Sequence, residues 1–190
     1  MKRLFLMCFF LFLPACQFIG TIFNGAHKVA VTLMDDRSFS DDMADTRINL
    51  EIRDALMQQD ARYGLDIEVT VFEGTVLLNG ALPNLDLVGQ VMQTAWSVEG
   101  VQKVHNYIRI SDVADIVGVN ENAAVSAKIR AELAMTKGIA SSNYKIVMEN
   151  NTVYILGIMA DDAELSKAVA VIKDTVTVEK VIPLMRYKTQ

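Results

Sequence analysis

The chain has 190 residues with a formal net charge of -5, and 52% of its residues are hydrophobic. This composition is typical of a packed globular protein and argues against a chain that is disordered throughout. The acidic balance argues against nucleic-acid binding, because contacts to phosphates need clustered lysine and arginine.

Residues 1–15 predict a secretory signal. Lys2 and Arg3 provide the basic start, and an apolar run over residues 4–13 follows them. This run is too short to cross a bilayer as a helix, which needs about 20 apolar residues. The pattern therefore indicates export of the protein across a membrane.

Cys16 follows this predicted signal. Residues 13–16, Leu-Pro-Ala-Cys, resemble the lipobox of bacterial lipoproteins. The resemblance implies attachment of a diacylglycerol, which carries fatty acyl chains such as palmitate, to the thiol of Cys16, cleavage before Cys16, and a lipidated tether over residues 16–45. Gln17 stands where aspartate would imply retention at the inner membrane, so it implies sorting to the outer membrane. The alternative is an ordinary signal cut near Ala15 with an incidental cysteine.

An internal repeat divides the rest of the chain into two domains. A shift of 77 residues aligns the two halves without a gap, as the matched pairs show: Ile52-Arg53 with Ile129-Arg130, Thr75-Val76 with Thr152-Val153, and Gly80 with Gly157. We therefore predict two copies of one domain, at residues 46–112 and 123–190, joined by a short linker at residues 113–122.

Each copy begins with a predicted helix and continues into a predicted hairpin. Apolar residues spaced by four form the inward stripe of each helix: Ile48, Ile52 and Leu56 in the first copy, Val125, Ile129 and Leu133 in the second. Two alternating strands follow, and their turns are Glu73-Gly74 and Asn150-Asn151, which tolerate positive φ. Gly80 and Gly157 lie inside strands, where we expect them to allow close backbone packing.

A second helix and a last strand complete each copy. Asn84 caps this helix in the first copy, and Asp161 with Glu164 forms a capping-box pattern in the second. The last strands are predicted over residues 104–110 and 181–187. The fold class is α+β, with the order helix, strand, strand, helix, strand and two helices packed on a three-stranded mixed sheet.

This element order resembles the BON domain. The resemblance rests on Val76, Leu78 and Gly80 in one strand and on the later run at residues 98–104, Val-Glu-Gly-Val-Gln-Lys-Val. Two such domains behind a lipobox resemble the dual BON-domain outer-membrane lipoproteins, the division and outer-membrane stress-associated lipid-binding family. The resemblance implies a periplasmic, membrane-anchored protein that binds anionic phospholipid, supports envelope integrity and has no catalytic activity or cofactor.

The first helix of the second copy is the predicted phospholipid-binding site. Where the first copy has Glu51 and Asp54, the second has Lys128 and Ala131, so this helix carries less negative charge. Small apolar side chains beside a lysine suit an anionic membrane surface, and the predicted site comprises Ala124, Ala127, Lys128, Ala131, Ala134 and Met135. The alternative is that the alanines are plain helix surface or a seam against the first copy. The resemblance, which implies lipid binding on this helix, favours the lipid site.

The remaining candidate residues point away from catalysis. His27 and His105 lack a partner at metal-ligand spacing, and the paired aspartates at residues 35–36 and 41–42 are typical of a solvated acidic segment. We expect Trp96, the single tryptophan, to be a packed or domain-seam residue rather than a lipid wedge.

The sequence therefore predicts a binding protein on the periplasmic side of the outer membrane. Its expected partner is an anionic phospholipid membrane. The alternative function is a non-catalytic scaffold for proteins of the envelope or of the cell-wall machinery. A Ser-His-Asp arrangement assembled from distant residues stays open at this point, as does the oligomeric state.

Overall fold

A computed structural model describes residues 39–111, 119–175 and 177–188. The predicted signal, Cys16 and most of the predicted tether lie outside these residues, as does most of the predicted linker.

The described residues form two copies of the same arrangement of helices and strands. In the first domain the elements are α1 (Phe39–Gln59), α2 (Tyr63–Asp66), β1 (Ile67–Phe72), β2 (Thr75–Leu82), α3 (Leu85–Ser97) and β3 (Lys103–Ile110). In the second domain they are α4 (Val119–Met135), a 3-10 turn (Ser141–Asn143), β4 (Tyr144–Glu149), β5 (Thr152–Met159), α5 (Asp162–Lys173) and β6 (Lys180–Tyr187). The predicted α+β order is confirmed, with the one-turn helix α2 and the 3-10 turn added.

Each domain builds a three-stranded mixed sheet around its middle strand. β2 pairs antiparallel with β1 and parallel with β3, and β5 does the same with β4 and β6. The hairpin turns have positive φ at the predicted positions, 47° at Glu73, 68° at Gly74, 46° at Asn150 and 60° at Asn151. Left-handed backbone at both turn residues gives the twist that a two-residue hairpin needs.

Both predicted helix stripes pack against their own sheets. Ile48, Ile52 and Leu56 are buried in the first domain, and Ile129 and Leu133 are buried in the second, with Val125 partly buried. Burial of such side chains is the main favourable contribution to folding, at ~25 cal/mol per Å² of apolar surface. The amphipathic pattern of each first helix is therefore satisfied within its own domain.

Both first helices begin earlier than the sequence pattern predicts. α1 begins at Phe39, seven residues before the predicted domain start at residue 46, and α4 begins at Val119, inside the predicted linker. Asp45, predicted as tether, is buried and its carboxylate accepts hydrogen bonds from the backbone N–H groups of Glu73 and Gly74 at 2.8 and 3.0 Å. This contact ties the N-terminal part of α1 to the first hairpin.

A third apolar cluster lies between the two sheets. The faces that point away from the helices meet each other, and the buried residues of this cluster are Phe72, Leu77, Val147, Tyr154, Leu156 and Ile158. The rings of Tyr107 and Tyr154 lie 4.7 Å apart between centroids and are tilted by 58°. Each sheet is therefore covered on both faces, by its own helices on one side and by the other domain on the other.

Candidate functional site

Every residue of the predicted phospholipid site is exposed on α4. Ala124, Ala127, Lys128, Ala131 and Ala134 face solvent, and Met135 is 79% exposed. The first domain contacts the second through the sheets and leaves this face of α4 open. The alternative of an alanine seam against the first domain is therefore wrong.

The opposite side of α4 fixes the orientation of this face. Ile129 and Leu133 are buried against the sheet, and Ser126 is buried beside them. Arg130 donates from Nη2 to the backbone carbonyl of Ile146 at 2.8 Å and ties the helix to β4. The alanines favour the helix because they have the highest intrinsic helix propensity. The exposed patch is thus held on a well-packed element.

The charge on the patch is modest. Lys128 Nζ lies 3.7 Å from Glu132 Oε1, one helical turn along α4, and the lysine side chain is 56% exposed. An exposed pair of this kind contributes little to stability, in the range ~0–1 kcal/mol. The lysine therefore remains accessible to an external anionic group, with one carboxylate close by.

The matched face of α1 has different chemistry. Arg47 donates from Nη1 to both carboxylate oxygens of Glu51, at 2.8 and 2.9 Å. This face of α1 therefore carries an ion pair within the helix. Asp54 lies one turn further along and accepts a hydrogen bond from Gln58. Leu50 and Met57 are exposed large apolar side chains on the same helix. Carboxylates among these groups make α1 unsuitable for an anionic surface.

The other residues considered in the sequence do not join this site. Trp96 is 50% exposed on α3, so the expectation that it is a packed or domain-seam residue is wrong. His105 is partly buried on the face of β3 that points toward the second domain, and burial together with nearby Lys103 lowers its pKa. Asp41 and Asp42 are exposed in the first turn of α1, where they complement the helix dipole.

Sequence reasoning missed the grooves between the two helices of each domain. The groove in the first domain is lined by Gln59, Gln90, Gln93, Thr94 and Ser97, and the groove in the second by Glu132, Met135, Thr136, Val171 and Asp174. The sequence feature that could have indicated the first groove is the distribution of the glutamines. Residues 119–188 contain none, whereas the two helices of the first domain concentrate them.

The part of the chain that the structure describes shows neither a candidate metal-binding cluster nor a candidate membrane span. Within residues 39–111, 119–175 and 177–188 there is no group of three or more His, Cys, Asp or Glu side chains that could hold a metal ion. No helix in that same part of the chain combines the length and apolar character needed to cross a membrane.

Comparison with known proteins follows the same division of the chain. A model of the BON domain matches residues 44–112 and 121–189. The outer membrane lipoprotein DolP of Haemophilus influenzae is 22% identical over 179 residues, which cover 93% of this chain and 91% of the relative. The 21 kDa hemolysin of Actinobacillus pleuropneumoniae is 26% identical over 160 residues, covering 84% and 78%. An uncharacterized protein in the gshII 5′ region of Anaplasma centrale is 33% identical over 123 residues, covering 64% and 82%.

Proposed function

This chain belongs to the BON-domain family, and from that premise we propose that it is a lipid-anchored protein of the outer membrane, facing the periplasm, that binds anionic phospholipid through α4. The observation that carries the proposal is the exposed face of α4, in which Lys128 stands among alanines. The protein acts by binding and supports the integrity of the envelope.

The shape of the α4 face suits a membrane surface. Its alanine side chains are short, so the helix backbone can approach headgroups and acyl chains closely. Met135 at the end of the helix adds a flexible apolar side chain that is 79% exposed. Contact with lipid would remove this apolar surface from water without burying a carboxylate from the patch itself.

The distribution of charge between the domains supports the choice of the second domain. Residues 39–111 carry five Lys and Arg and eleven Asp and Glu, a net charge of -6. Residues 119–188 carry nine Lys and Arg and eight Asp and Glu, a net charge of +1. An anionic leaflet attracts basic segments by ~1 kcal/mol for each Lys or Arg near the surface. The first domain is repelled by such a leaflet, and the second is not.

Anchoring and lipid contact have complementary roles in this proposal. The lipobox resemblance at Cys16 and the similarity to an outer membrane lipoprotein support attachment of the chain to that membrane. A patch as weakly charged as that of α4 gives measurable but reversible binding alone, and long-lived association with a membrane commonly needs two signals. The acyl anchor supplies one signal and α4 the other.

Vesicle flotation of the chain beginning after Cys16, without acyl groups, tests the lipid contact. We expect this chain to float with phosphatidylglycerol vesicles. The double variant Ala127→Glu/Ala131→Glu should bind these vesicles at least about tenfold more weakly, because its two new carboxylates face the anionic surface. Leu50→Glu is the matched control, because Leu50 occupies the position in α1 that Ala127 occupies in α4. It should float as the unmodified chain does. If the unacylated chain binds vesicles of no composition, the proposed lipid contact is wrong.

A second candidate function is a protein-interaction scaffold, and one observation favours it. Met43, Leu50 and Met57 are spaced by seven on α1 and are 57%, 61% and 48% exposed. Large apolar side chains repeated every seven residues form a stripe that a partner helix can cover. In the flotation experiment, absence of vesicle binding together with retained folding would favour this scaffold.

A further inference from the structure

An uncharged polar groove lies between α1 and α3 in the first domain. Its volume is about 320 Å³, and its lining consists of three glutamines and two hydroxyl side chains: Gln59, Gln90, Gln93, Thr94 and Ser97. Small-ligand sites begin at ~300 Å³. The lining has no cation for a phosphate, no carboxylate for a metal ion and no aliphatic side chain for an acyl chain. A ligand that fits must be neutral and polar.

Hydrogen bonds inside the groove leave most of its amide groups available. Gln59 donates from Nε2 to Thr94 Oγ1 at 2.7 Å, and Thr94 Oγ1 donates to the backbone carbonyl of Gln90 at 2.9 Å. Ser97 Oγ donates to the carbonyl of Thr94 at 2.8 Å. These bonds hold the base of the groove in place. The amides of Gln90 and Gln93 are exposed and make no hydrogen bond within the part of the chain that the structure describes.

A half-exposed tryptophan lies one helical turn from Gln93, which is one of the residues that line the groove. Trp96 is 50% exposed and stands three residues after Gln93 on α3, so their side chains are neighbours on the helix surface. Gly89, one heptad before Trp96, has open space where a side chain would be. The indole therefore offers a flat apolar face with one N–H donor one helical turn from the amide of Gln93.

We propose that this groove binds a neutral saccharide. Each glutamine amide can donate to and accept from hydroxyl or acetamido groups, which matches a ring with many groups of both kinds. The C–H face of a pyranose ring is apolar and flat, so it can cover the exposed indole and release water from it. A charged ligand would find no counter-charge in the lining, and a lipid chain would find no apolar wall.

The matched groove of the second domain supports this assignment. That groove has a volume of about 380 Å³ and includes two carboxylates and two apolar side chains in its lining: Glu132, Met135, Thr136, Val171 and Asp174. Gln90 and Gln93 correspond there to Lys167 and Ala170. The amide lining is thus specific to the first domain and is not a requirement of the shared fold. It is also separate from the lipid contact proposed on α4.

The single tryptophan provides a direct measurement, since all indole emission comes from Trp96. We expect titration of the unacylated chain with chitotetraose or maltotetraose to shift or quench this emission in a saturable way. The double variant Gln90→Ala/Gln93→Ala should weaken binding by about tenfold or more while retaining the emission of the free protein, since two hydrogen-bonding groups are removed. Lys167→Ala, at the matched position of the second domain, should bind as the unmodified chain does.

Three outcomes would overturn the proposal. The first is an emission spectrum that neither saccharide changes. The second is an affinity for saccharide that the glutamine double variant leaves intact, which would place the binding elsewhere. The third is a response to a neutral peptide such as tetra-alanine without a response to saccharide, which would show that the ligand class is wrong. Each variant is checked by circular dichroism, so that loss of folding is not counted as loss of binding.

Discussion

At the residue scale, Glu164 shows how one side chain can join separate segments of the second domain. Its backbone N–H donates to Asp161 Oδ1 at 2.8 Å, as the capping-box pattern predicts. Its carboxylate accepts the N–H groups of Ala160 and Ala140 and the hydroxyl of Tyr144, each at 2.7 Å. Burial by itself would raise the pKa of Glu164, but these hydrogen bonds lower it below 4.5. Glu164 thereby fastens the segment before β4 to the start of α5.

Replacement of this carboxylate should cost stability in a pH-dependent way. We expect Glu164→Gln to lower the free energy of unfolding at neutral pH by about 1–3 kcal/mol, because an amide cannot accept all three hydrogen bonds. Because the folded-state pKa is lowered, the wild-type advantage is present above 4.5 and is lost as the pH falls through the folded-state value. Urea unfolding at several pH values measures this, with the exposed Glu99→Gln as control. A difference that stays constant with pH would contradict the account.

At the scale of the element, glycine is structurally required in two strands but not in a helix. Gly80 in β2 has φ of 134°, and a Cβ there would collide with the backbone carbonyl oxygen of Asp66. Gly157 in β5 is in the same situation against Asn143, so the predicted role in close packing is confirmed for both. Gly89 in α3 is exposed with open space around it. The strand glycines are required by geometry, and the helix glycine only weakens its helix.

A pair of alanine substitutions distinguishes these two situations. Gly80→Ala should lower the free energy of unfolding by about 1–3 kcal/mol, because the new methyl group forces β2 away from the preceding segment. Gly89→Ala should raise it by about 0.5–1 kcal/mol, because alanine has lower backbone entropy in the unfolded chain. Chemical denaturation of both variants beside the unmodified protein gives the two changes. Equal effects of the same sign would be inconsistent with the geometry.

For the whole molecule, the two domains meet as the subunits of a symmetric dimer do. Arg186 of β6 reaches the first hairpin and donates to both oxygens of Glu73, at 2.6 and 2.7 Å. At the equivalent place Arg109 of β3 reaches the second hairpin and lies 3.5 Å from Glu149 Oε1. The amide oxygen of Asn150, oriented toward Arg109, accepts from Nε and Nη2 at 3.1 and 2.8 Å. Under the 77-residue shift Arg109 matches Arg186, and Asn150 matches Glu73. The same two positions therefore contact each other on both sides of the interface, as in an isologous dimer.

The apolar cluster between the sheets should couple the stabilities of the two domains. Leu77 is fully buried in this cluster, so Leu77→Ala should lower the free energy of unfolding by about 2–5 kcal/mol. Because the lost contacts include side chains of β5, the amide protons of the second domain should also exchange faster with solvent. Hydrogen exchange measures this, with exposed Leu50→Ala as control. Unchanged exchange in β5 would show that the domains are energetically independent.

The sequence by itself determined the features that depend on neighbours along the chain. Periodicity placed the stripe of Ile52 and the matched stripe of Ile129, turn chemistry placed both hairpins, and the 77-residue repeat revealed two domains. These signals are local because a helix or a hairpin selects residues at fixed short spacings.

Only the tertiary structure decided which surfaces remain open. Alternation assigns one face of a strand to a core, so it could not show that Leu77 and Tyr154 meet across two sheets. Nor could it show that the α4 alanines stay exposed or that glutamines of two helices line one groove. The physical reason is that burial of an outward face depends on a partner surface distant in sequence, which local spacing does not encode.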